Sequence, residues 1–284
     1  MRTFFGLVVL ALVATAARGA TIIVPPGPGT PVQDAINAAN PGDTIRLTNA
    51  SYPEHLQITK AIKLRGVRST STEAGQTTQL GGGCGIGPTI DVQADGVQLR
   101  GIQIFADTLG GVNVVGRDRI KMTDLFAAAQ CEQVNAPMFN IDGVHRAKLN
   151  KVWGAGSAVQ TIPATVRVAN ISQFGRVRLT KSIVGNGEIG LLLENNGIGA
   201  VRVGGCNINF NERGLVLQNT SRAVIDHNKM INNSVSGIEL DATSSGNLLV
   251  RNEISGSPTD VSDAGAQNCW RNNVYTTGSV TTCP

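Results

Sequence analysis

A short strand pattern recurs through most of this chain, and the recurrence constrains the fold more than any other feature. Its clearest copies are Gly190-Leu191-Leu192-Leu193, Gly214-Leu215-Val216-Leu217 and Gly237-Ile238-Glu239-Leu240. Between Ile90 and Val274 the copies follow one another at intervals of 22 to 27 residues. Within a copy the apolar residues alternate with period two, which indicates a strand. A fixed period of this length is typical of a solenoid, because one unit cannot bury its apolar side without stacked neighbours.

Each repeat unit contains three short strands. In one unit, residues 237–240 form the first strand and residues 247–250 the second, and Glu253-Ile254 begin the third after a bend at Asn252. Stacking would place equivalent strands in parallel sheets, with inward Ile, Leu and Val filling the core. The sequence therefore predicts an all-β parallel solenoid with one continuous interior row. That row is predicted to contain Leu191, Leu215 and Ile238.

Asparagines fall at matching bends of successive units. Asn228, Asn252 and Asn272 occupy this place, and Cys206 occupies it one coil earlier. Stacked Asn side chains can hydrogen-bond along the axis, as they do in cross-β ladders. We predict such a ladder here.

The residues before the repeat predict a helical cap. Thr30-Pro31-Val32-Gln33 has the capping-box spacing, with Pro at the first helical position. An apolar stripe follows and ends at Pro41-Gly42. Its members are Val32, Ala35, Ile36 and Ala39. We expect a short helix that covers the open end of the solenoid and protects its edge strands from pairing with other chains.

The first residues resemble an export signal. Arg2 precedes an apolar run from Phe4 to Ala17 that is too short to span a bilayer, and small residues follow it. We predict a signal peptide at residues 1–20 and a single domain at residues 21–284. The mature chain is expected to be a monomer without a membrane span, either secreted or periplasmic.

The chain has five cysteines, which in an exported protein indicates disulfides with one thiol left over. Cys269 and Cys283 lie close together near the C-terminus and are predicted to form a disulfide there. Cys84 and Cys131 are a second candidate pair, which would tie the first coil to a long loop. Cys206 falls at a stacked bend, where we expect a buried thiol.

Two stretches resemble a known superfamily. The segment from Val32 to Gly66 is similar to the opening of right-handed parallel β-helix proteins of the pectate-lyase-like superfamily, and the segment from Asn228 to Leu240 is similar to their carbohydrate-binding and sugar-hydrolase repeat. The matching residues are Ala35-Ile36-Asn37-Ala38-Ala39, Gly42-Asp43-Thr44-Ile45, Tyr52-Pro53-Glu54, Ile62-Lys63-Leu64-Arg65-Gly66, Asn228, Asn232-Asn233 and Gly237-Ile238-Glu239-Leu240. The resemblance implies a right-handed coil, but lyases, hydrolases, esterases, epimerases and non-enzymes share this fold.

Family catalytic motifs are incomplete in this sequence. Asp107-Thr108-Leu109 matches part of a pectin methylesterase motif, but Ala106 stands where that motif has Gln. Arg119-Ile120-Lys121 matches the Arg-Ile-Lys of polygalacturonases, whose other motifs are absent. The three histidines are scattered without the spacing of a zinc site, so no metal is predicted. Calcium is possible, but no motif indicates it.

Polar residues concentrate on the outward side of the first strands, where the resemblance places a sugar-binding cleft. We predict a catalytic group of Asp142, Arg167 and Glu194. The carboxyls of Asp142 and Glu194 are two coils apart, roughly 10 Å at the parallel-strand spacing, which is near the separation used for inverting hydrolysis. A solvated strand face is the alternative interpretation. Predicted substrate-binding residues are Asp91, Asn113, Asn140, His145 and Trp153.

The second strands carry cations at equivalent outward positions. These cations are Arg100, Lys121, Lys148, Arg178 and Arg202. Stacking would place them about 4.8 Å apart, where like charges repel. Either local acids such as Asp118 and Asp124 relieve this repulsion, or a linear polyanion does. The net charge of the whole chain is only +4 and does not by itself select a partner.

The sequence leaves two functional classes open. The first is an exported β-helix protein that binds or processes a polysaccharide as a lyase, hydrolase or epimerase. If the protein is an enzyme, we expect a polysaccharide lyase or glycoside hydrolase that acts on an acidic polysaccharide. The alternative is a non-catalytic periplasmic or extracellular scaffold or binding protein. The expected partner is a polysaccharide or another extracellular polyanion, and not a nucleic acid.

Overall fold

The computed structural model describes residues 19–67, 77–85, 87–156, 162–197 and 201–283. In these residues the chain is a right-handed parallel β-solenoid with one short helix, α1 (Pro31–Ala38), as the repeat predicts. Residues 1–18 of the predicted signal peptide lie outside this range, so export stays a prediction. Within the described ranges, no helix is long and apolar enough to cross a membrane.

The strands form two sheets that run along the axis of the solenoid. The first face is a 10-stranded sheet. Its strands are β4 (Leu56–Ile58), β7 (Ile90–Val92), β9 (Val112–Val115), β11 (Phe139–Asp142), β13 (Val166–Ala169), β16 (Ile189–Glu194), β19 (Arg213–Gln218), β22 (Ser236–Leu240), β25 (Thr259–Asp263) and β27 (Gly278–Ser279).

The second sheet has 17 strands and forms the second and third faces. Its strands are β1 (Thr21–Val24), β2 (Thr44–Leu47), β3 (Ser51–Tyr52), β5 (Lys63–Arg65), β6 (Gln79–Leu80), β8 (Gln98–Ala106), β10 (Ile120–Ala129), β12 (Arg146–Ala155), β14 (Arg176–Thr180), β15 (Ile183–Gly185), β17 (Val201–Gly204), β18 (Asn207–Asn209), β20 (Val224–Asp226), β21 (Lys229–Ile231), β23 (Leu248–Val250), β24 (Glu253–Ser255) and β26 (Cys269–Arg271).

The corner between the second and third faces is formed by single residues with left-handed backbone. In the long strands β8, β10 and β12 these residues are Gly101, Asp124 and Lys151, with φ of 68°, 57° and 54°. Left-handed φ bends the chain sharply within one residue. Side chains before the corner therefore belong to the second face, and side chains after it belong to the third.

One interior row runs through the first sheet, as the sequence predicts. Consecutive strands align Leu191 with Leu215 and Leu215 with Ile238. All three side chains are fully buried. The full row is Leu56, Ile90, Val112, Phe139, Val166, Leu191, Leu215, Ile238 and Val261.

The glycine that precedes this row is explained by the next coil. A Cβ on Gly214 would lie 2.4 Å from the carbonyl oxygen of Gly237, and a Cβ on Gly237 would lie 2.6 Å from the carbonyl oxygen of Asp260. A side chain at either position would therefore force neighbouring coils apart, and only glycine permits this close approach.

The asparagine ladder is present, with one correction. The side-chain amide of Asn228 donates to Oδ1 of Asn252 (3.0 Å), and the amide of Asn252 donates to Oδ1 of Asn273 (2.9 Å). The next rung is therefore Asn273, and the prediction of Asn272 was wrong. Asn272 instead adopts left-handed backbone at the bend (φ 53°). Cys206 occupies the predicted place next to Asn228 in the ladder, because its backbone N–H donates to Oδ1 of Asn228.

The predicted helical cap is confirmed, but its capping box does not form. The side chain of Thr30 makes no capping hydrogen bond. Instead, the buried carboxylate of Glu54 accepts hydrogen bonds from the backbone N–H groups of Val32 (3.0 Å) and Gln33 (2.9 Å). An acidic side chain satisfies free amides at a helix N-terminus and complements its dipole, so a residue from the first coil replaces the local cap.

Both predicted cysteine pairs are disulfide-bonded in the structure. Cys269 is joined to Cys283, and Cys84 to Cys131. Cys206 is buried with a free thiol, and burial raises the pKa of this thiol to about 11. A protonated thiol of this kind packs as a small apolar group.

The buried carboxylate of Asp260 anchors the C-terminal segment. It accepts hydrogen bonds from the backbone N–H groups of Thr276 (2.7 Å) and Thr277 (3.1 Å) and from the hydroxyl of Thr276 (2.6 Å). Burial acts to raise the pKa of Asp260, but these hydrogen bonds outweigh it and hold the pKa below its ordinary value. The charged form therefore stabilises the fold above the unfolded pKa of about 3.9.

Asp260→Asn is expected to lower the free energy of unfolding by about 1–3 kcal/mol at pH 7, because an amide is a poor acceptor for these donors. The ionised carboxylate loses its contribution as the pH falls through the folded pKa, so the difference from wild type should narrow below about pH 4. Urea unfolding at pH 7 and at acidic pH measures both effects. Asp34→Asn, at an exposed position on α1, is the control. A difference that is constant with pH would contradict this role.

Candidate functional site

A hydrogen-bonded track of polar side chains runs across the outward side of the first sheet. The amide of Asn113 donates to Oδ1 of Asp91, and the amide of Asn140 donates to Oδ1 of Asn113, both at 2.9 Å. Nη1 of Arg167 then donates to Oδ1 of Asn140 at 2.9 Å. We call Asp91, Asn113, Asn140 and Arg167 the polar track. Its regularity follows from the register, which aligns these four residues on consecutive strands.

Arg167 joins the two predicted catalytic carboxylates. Its Nη1 lies 2.8 Å from Oδ2 of Asp142, and its Nε lies 2.8 Å from Oε2 of Glu194. Partial burial of Arg167 would lower its pKa, but the two carboxylates hold that pKa above its ordinary range. The guanidinium therefore carries a charge that is already neutralised, and it occupies the space between the carboxyls where an inverting hydrolase holds water. The catalytic roles of these three residues stay a prediction.

Two predicted substrate-binding residues lie away from the polar track. His145 directly precedes β12 in the second sheet. Its Nδ1 lies 3.4 Å from Oδ1 of Asp118. Trp153 lies within β12, which continues to Ala155. Trp153 lies in register with Phe126 and Ile183 on the third face, beyond the corner.

The second face carries a vertical column of cations, which we call the cationic column. Consecutive strands align Lys121 with Lys148, Lys148 with Arg178, and Arg178 with Arg202. The prediction that Arg100 belongs to this column was wrong. The residue aligned with Lys121 is Gln98, and Arg100 lies two residues further along β8, where it is aligned with Arg65.

Local acids neutralise only the edges of this surface. Asp118 pairs with Arg146, with Nη2 2.6 Å from Oδ2, and Asp226 pairs with Arg202. The hydrogen bond from Arg146 holds the pKa of Asp118 well below its ordinary range. Within the described part of the chain, no carboxylate forms an ion pair or hydrogen bond with the cationic residues in the middle of the column. These residues are Lys121, Lys148 and Arg178.

Grooves lie on both sides of the cationic column. One groove of about 290 Å³ includes Arg65 and Arg100 in its lining, and Thr123, Asn150 and Thr180 line it with hydroxyl and amide groups. The other groove is about 670 Å³ and continues along the column to Arg202 and Val224. Arg65 was not predicted from the sequence as a binding residue. Only the strand register, which aligns Arg65 with Arg100, identifies Arg65 as part of this surface.

One group of potential metal ligands is present among the described residues. It consists of Cys84, Asp107 and Cys131. The two sulfurs are joined in a disulfide and cannot act as thiolate ligands. A single buried carboxylate remains, which is too few donors for a metal site.

Residues 150–278 match the family model described as a right handed beta helix region. Among solved structures, the chain is similar to ORF18 of Geobacillus virus E2, at 11% identity over 88% of this chain and 61% of that chain, with a TM-score of 0.63. It is also similar to pectate lyase Pel9A, at 12% identity over 90% of this chain and 78% of that chain, with a TM-score of 0.53. No curated protein matches the sequence. These likenesses confirm the right-handed parallel β-helix, and at such low identity they show the fold alone.

Proposed function

We propose that this protein binds an acidic polysaccharide lengthwise along the cationic column. The observation that carries the proposal is the middle of that column, where Lys121, Lys148 and Arg178 are stacked one coil apart without a carboxylate partner among the described residues. Like charges at about 4.8 Å repel. A linear polyanion would relieve this repulsion and supply the missing negative charge.

The geometry favours a sugar polymer over other polyanions. One coil of the solenoid advances by about 4.8 Å, which is close to the length of one sugar residue, so successive acidic sugars would meet successive cations. Thr123, Asn150 and Thr180 line the adjacent groove and can hydrogen-bond to sugar hydroxyls. The two disulfides indicate an oxidising compartment. Such a compartment fits an extracellular or periplasmic glycan better than a nucleic acid.

Binding to polygalacturonate tests this proposal. Lys148→Glu is expected to raise the dissociation constant by about ten-fold or more at low salt, because it reverses a central charge of the column. Arg251→Glu makes the same change of charge at an exposed position outside both grooves and should have little effect. Isothermal titration with polygalacturonate, neutral dextran and duplex DNA compares the three ligand classes. Absence of polygalacturonate binding would favour the scaffold alternative, and equal weakening by both variants would contradict the assignment to the column.

A further inference from the structure

A pocket of about 560 Å³ lies on the first face, beside α1 and away from the cationic column. Its polar walls come from Gln33 and Asn37 on α1, from His55 and Gln57 on the first coil, and from Asp91 at the start of the polar track. The remaining lining is Leu56, Gly85, Gly87 and Pro88. We call it the end pocket. The end pocket has no local sequence pattern, because its residues come from segments far apart in the chain.

The imidazole of His55 is held in this pocket by a buried carboxylate. Its Nε2 lies 3.1 Å from Oδ2 of Asp107, whose side chain is 1% exposed, while the side chain of His55 is 34% exposed. The backbone N–H of Gly85 donates to the same carboxylate oxygen at 2.8 Å. Its Nδ1 lies 3.4 Å from the backbone carbonyl oxygen of Pro88. Both ring nitrogens therefore have protein partners, which fix the orientation of the partly exposed ring in the pocket wall.

A glycine-rich loop closes around the same ring. A Cβ on Gly82 would lie 2.4 Å from Cδ2 of His55, and a Cβ on Gly85 would lie 3.2 Å from its Nε2. Glycine at these places lets the backbone approach the imidazole closely. The disulfide between Cys84 and Cys131 fastens the loop between them to the neighbouring coil. The disulfide and the close packing of these glycines against His55 therefore hold this wall of the pocket in place.

The helix α1 terminates the first face at this pocket. The side chain of Gln33 accepts a hydrogen bond from the backbone N–H of Gln57 (2.8 Å) and donates one to the backbone carbonyl of Gln57 (3.2 Å). Gln33 thus pairs with the edge strand β4 as another strand would. A chain lying on the polar track reaches Asp91 and then meets α1, so the pocket receives the end of that chain.

The lining selects for an uncharged ligand rich in hydroxyl groups. Among the residues that the structure describes, no lysine or arginine lines the end pocket, and the carboxylate of Asp91 disfavours anions there. The side-chain amides of Asn37 and Gln57 and the carboxylate of Asp91 supply donors and acceptors that match vicinal hydroxyls. We propose that the end pocket binds the terminal residue of a neutral glycan whose chain runs along the polar track. This site is separate in face and in ligand charge from the proposed function.

The three histidines give a test that distinguishes this site from the cationic column. His55 lies in the end pocket, whereas His145 and His227 pair with Asp118 and Asp226 beside the column. Proton NMR of the imidazole signals is recorded with gluco-, manno- and galacto-trisaccharides and with trigalacturonate. We expect a neutral trisaccharide to shift His55 saturably and to leave His145 and His227 unmoved. A His55 signal unmoved by every neutral trisaccharide at millimolar concentration overturns the proposal, whatever trigalacturonate does at the other two.

Variants locate the binding within the pocket. Asn37→Ala removes an exposed amide from α1 and should weaken the trisaccharide about five-fold, as expected for one lost hydrogen bond. Asn207→Ala, at an exposed position on the third face, is the matched control. Lys148→Glu should leave the affinity for the neutral trisaccharide unchanged. Equal affinities for Asn37→Ala, Asn207→Ala and wild type would overturn the assignment to the end pocket.

Discussion

Leu215→Ala is expected to lower the free energy of unfolding by about 2–5 kcal/mol. Leu215 is fully buried and stacked between Leu191 and Ile238 in the interior row. Truncating its side chain removes apolar contacts and leaves a cavity that the stacked coils above and below cannot close without losing their own strand pairing.

Urea unfolding followed by circular dichroism measures this loss. Val115→Ala is the control, because Val115 lies in the same sheet but is 50% exposed on its outward side. We expect the control to change stability by no more than about 0.5 kcal/mol. A similar cost for both variants would show that the interior row does not carry the stability of the solenoid.

Arg167→Ala is expected to lower the free energy of unfolding by about 2 kcal/mol, which is less than for a fully buried ion pair because the site is partly exposed. Removing the guanidinium leaves Asp142 and Glu194 without their shared counter-charge. Arg167→Lys should recover little, because one ammonium cannot reproduce the geometry of a guanidinium that contacts both carboxylates.

The same unfolding assay tests this prediction, and Arg251→Ala controls for loss of an exposed arginine. In the double variant Arg167→Ala with Glu194→Gln, the cost should shrink, because one of the uncompensated charges is gone. Full stability of Arg167→Ala would mean that the bridge between the two carboxylates contributes nothing to the fold. Arg167 would then be free to serve a ligand.

The first face was predictable because its repeat is nearly regular. Counting from Leu191, Leu215 and Ile238 placed Asp142, Arg167 and Glu194 on consecutive coils, and the register confirms this order. Asp142 and Glu194 are in register with Ala169, two residues after Arg167 in β13. Residues in one strand of such a repeat keep their face and their neighbours. Alternation with period two was therefore enough to predict which face a residue lies on and which residues of the adjacent coils it contacts.

The second face was harder, because the turn before each second strand varies in length. Arg100 has the outward orientation that was predicted, but it is two residues out of line with Lys121. His145 and Trp153 were predicted to bind substrate together with the first-face residues, but each follows a bend with left-handed backbone, which leaves no clear sequence signal. The strand β12 carries Trp153 past such a bend at Lys151 and onto the third face.

Contacts between distant segments could not be predicted, because no local sequence pattern marks them. Glu54 replaces the predicted cap of α1, and Asp107 holds His55 from the next coil. Both acids are buried and far from their partners in sequence. Their roles depend on how the first coils pack against one another and against α1, which the repeat does not encode because α1, Glu54 and His55 precede it.

The salt dependence of polygalacturonate binding tests the role of the cationic column most directly. Each phosphate or carboxylate neutralised by a protein cation releases counterions, so the logarithm of the association constant falls with the logarithm of salt concentration in proportion to the contacts made. We expect a clearly shallower slope for the triple variant Lys121→Gln, Lys148→Gln, Arg178→Gln, and an unchanged slope for Arg251→Gln. A triple variant with the slope and affinity of wild type would contradict binding at the column.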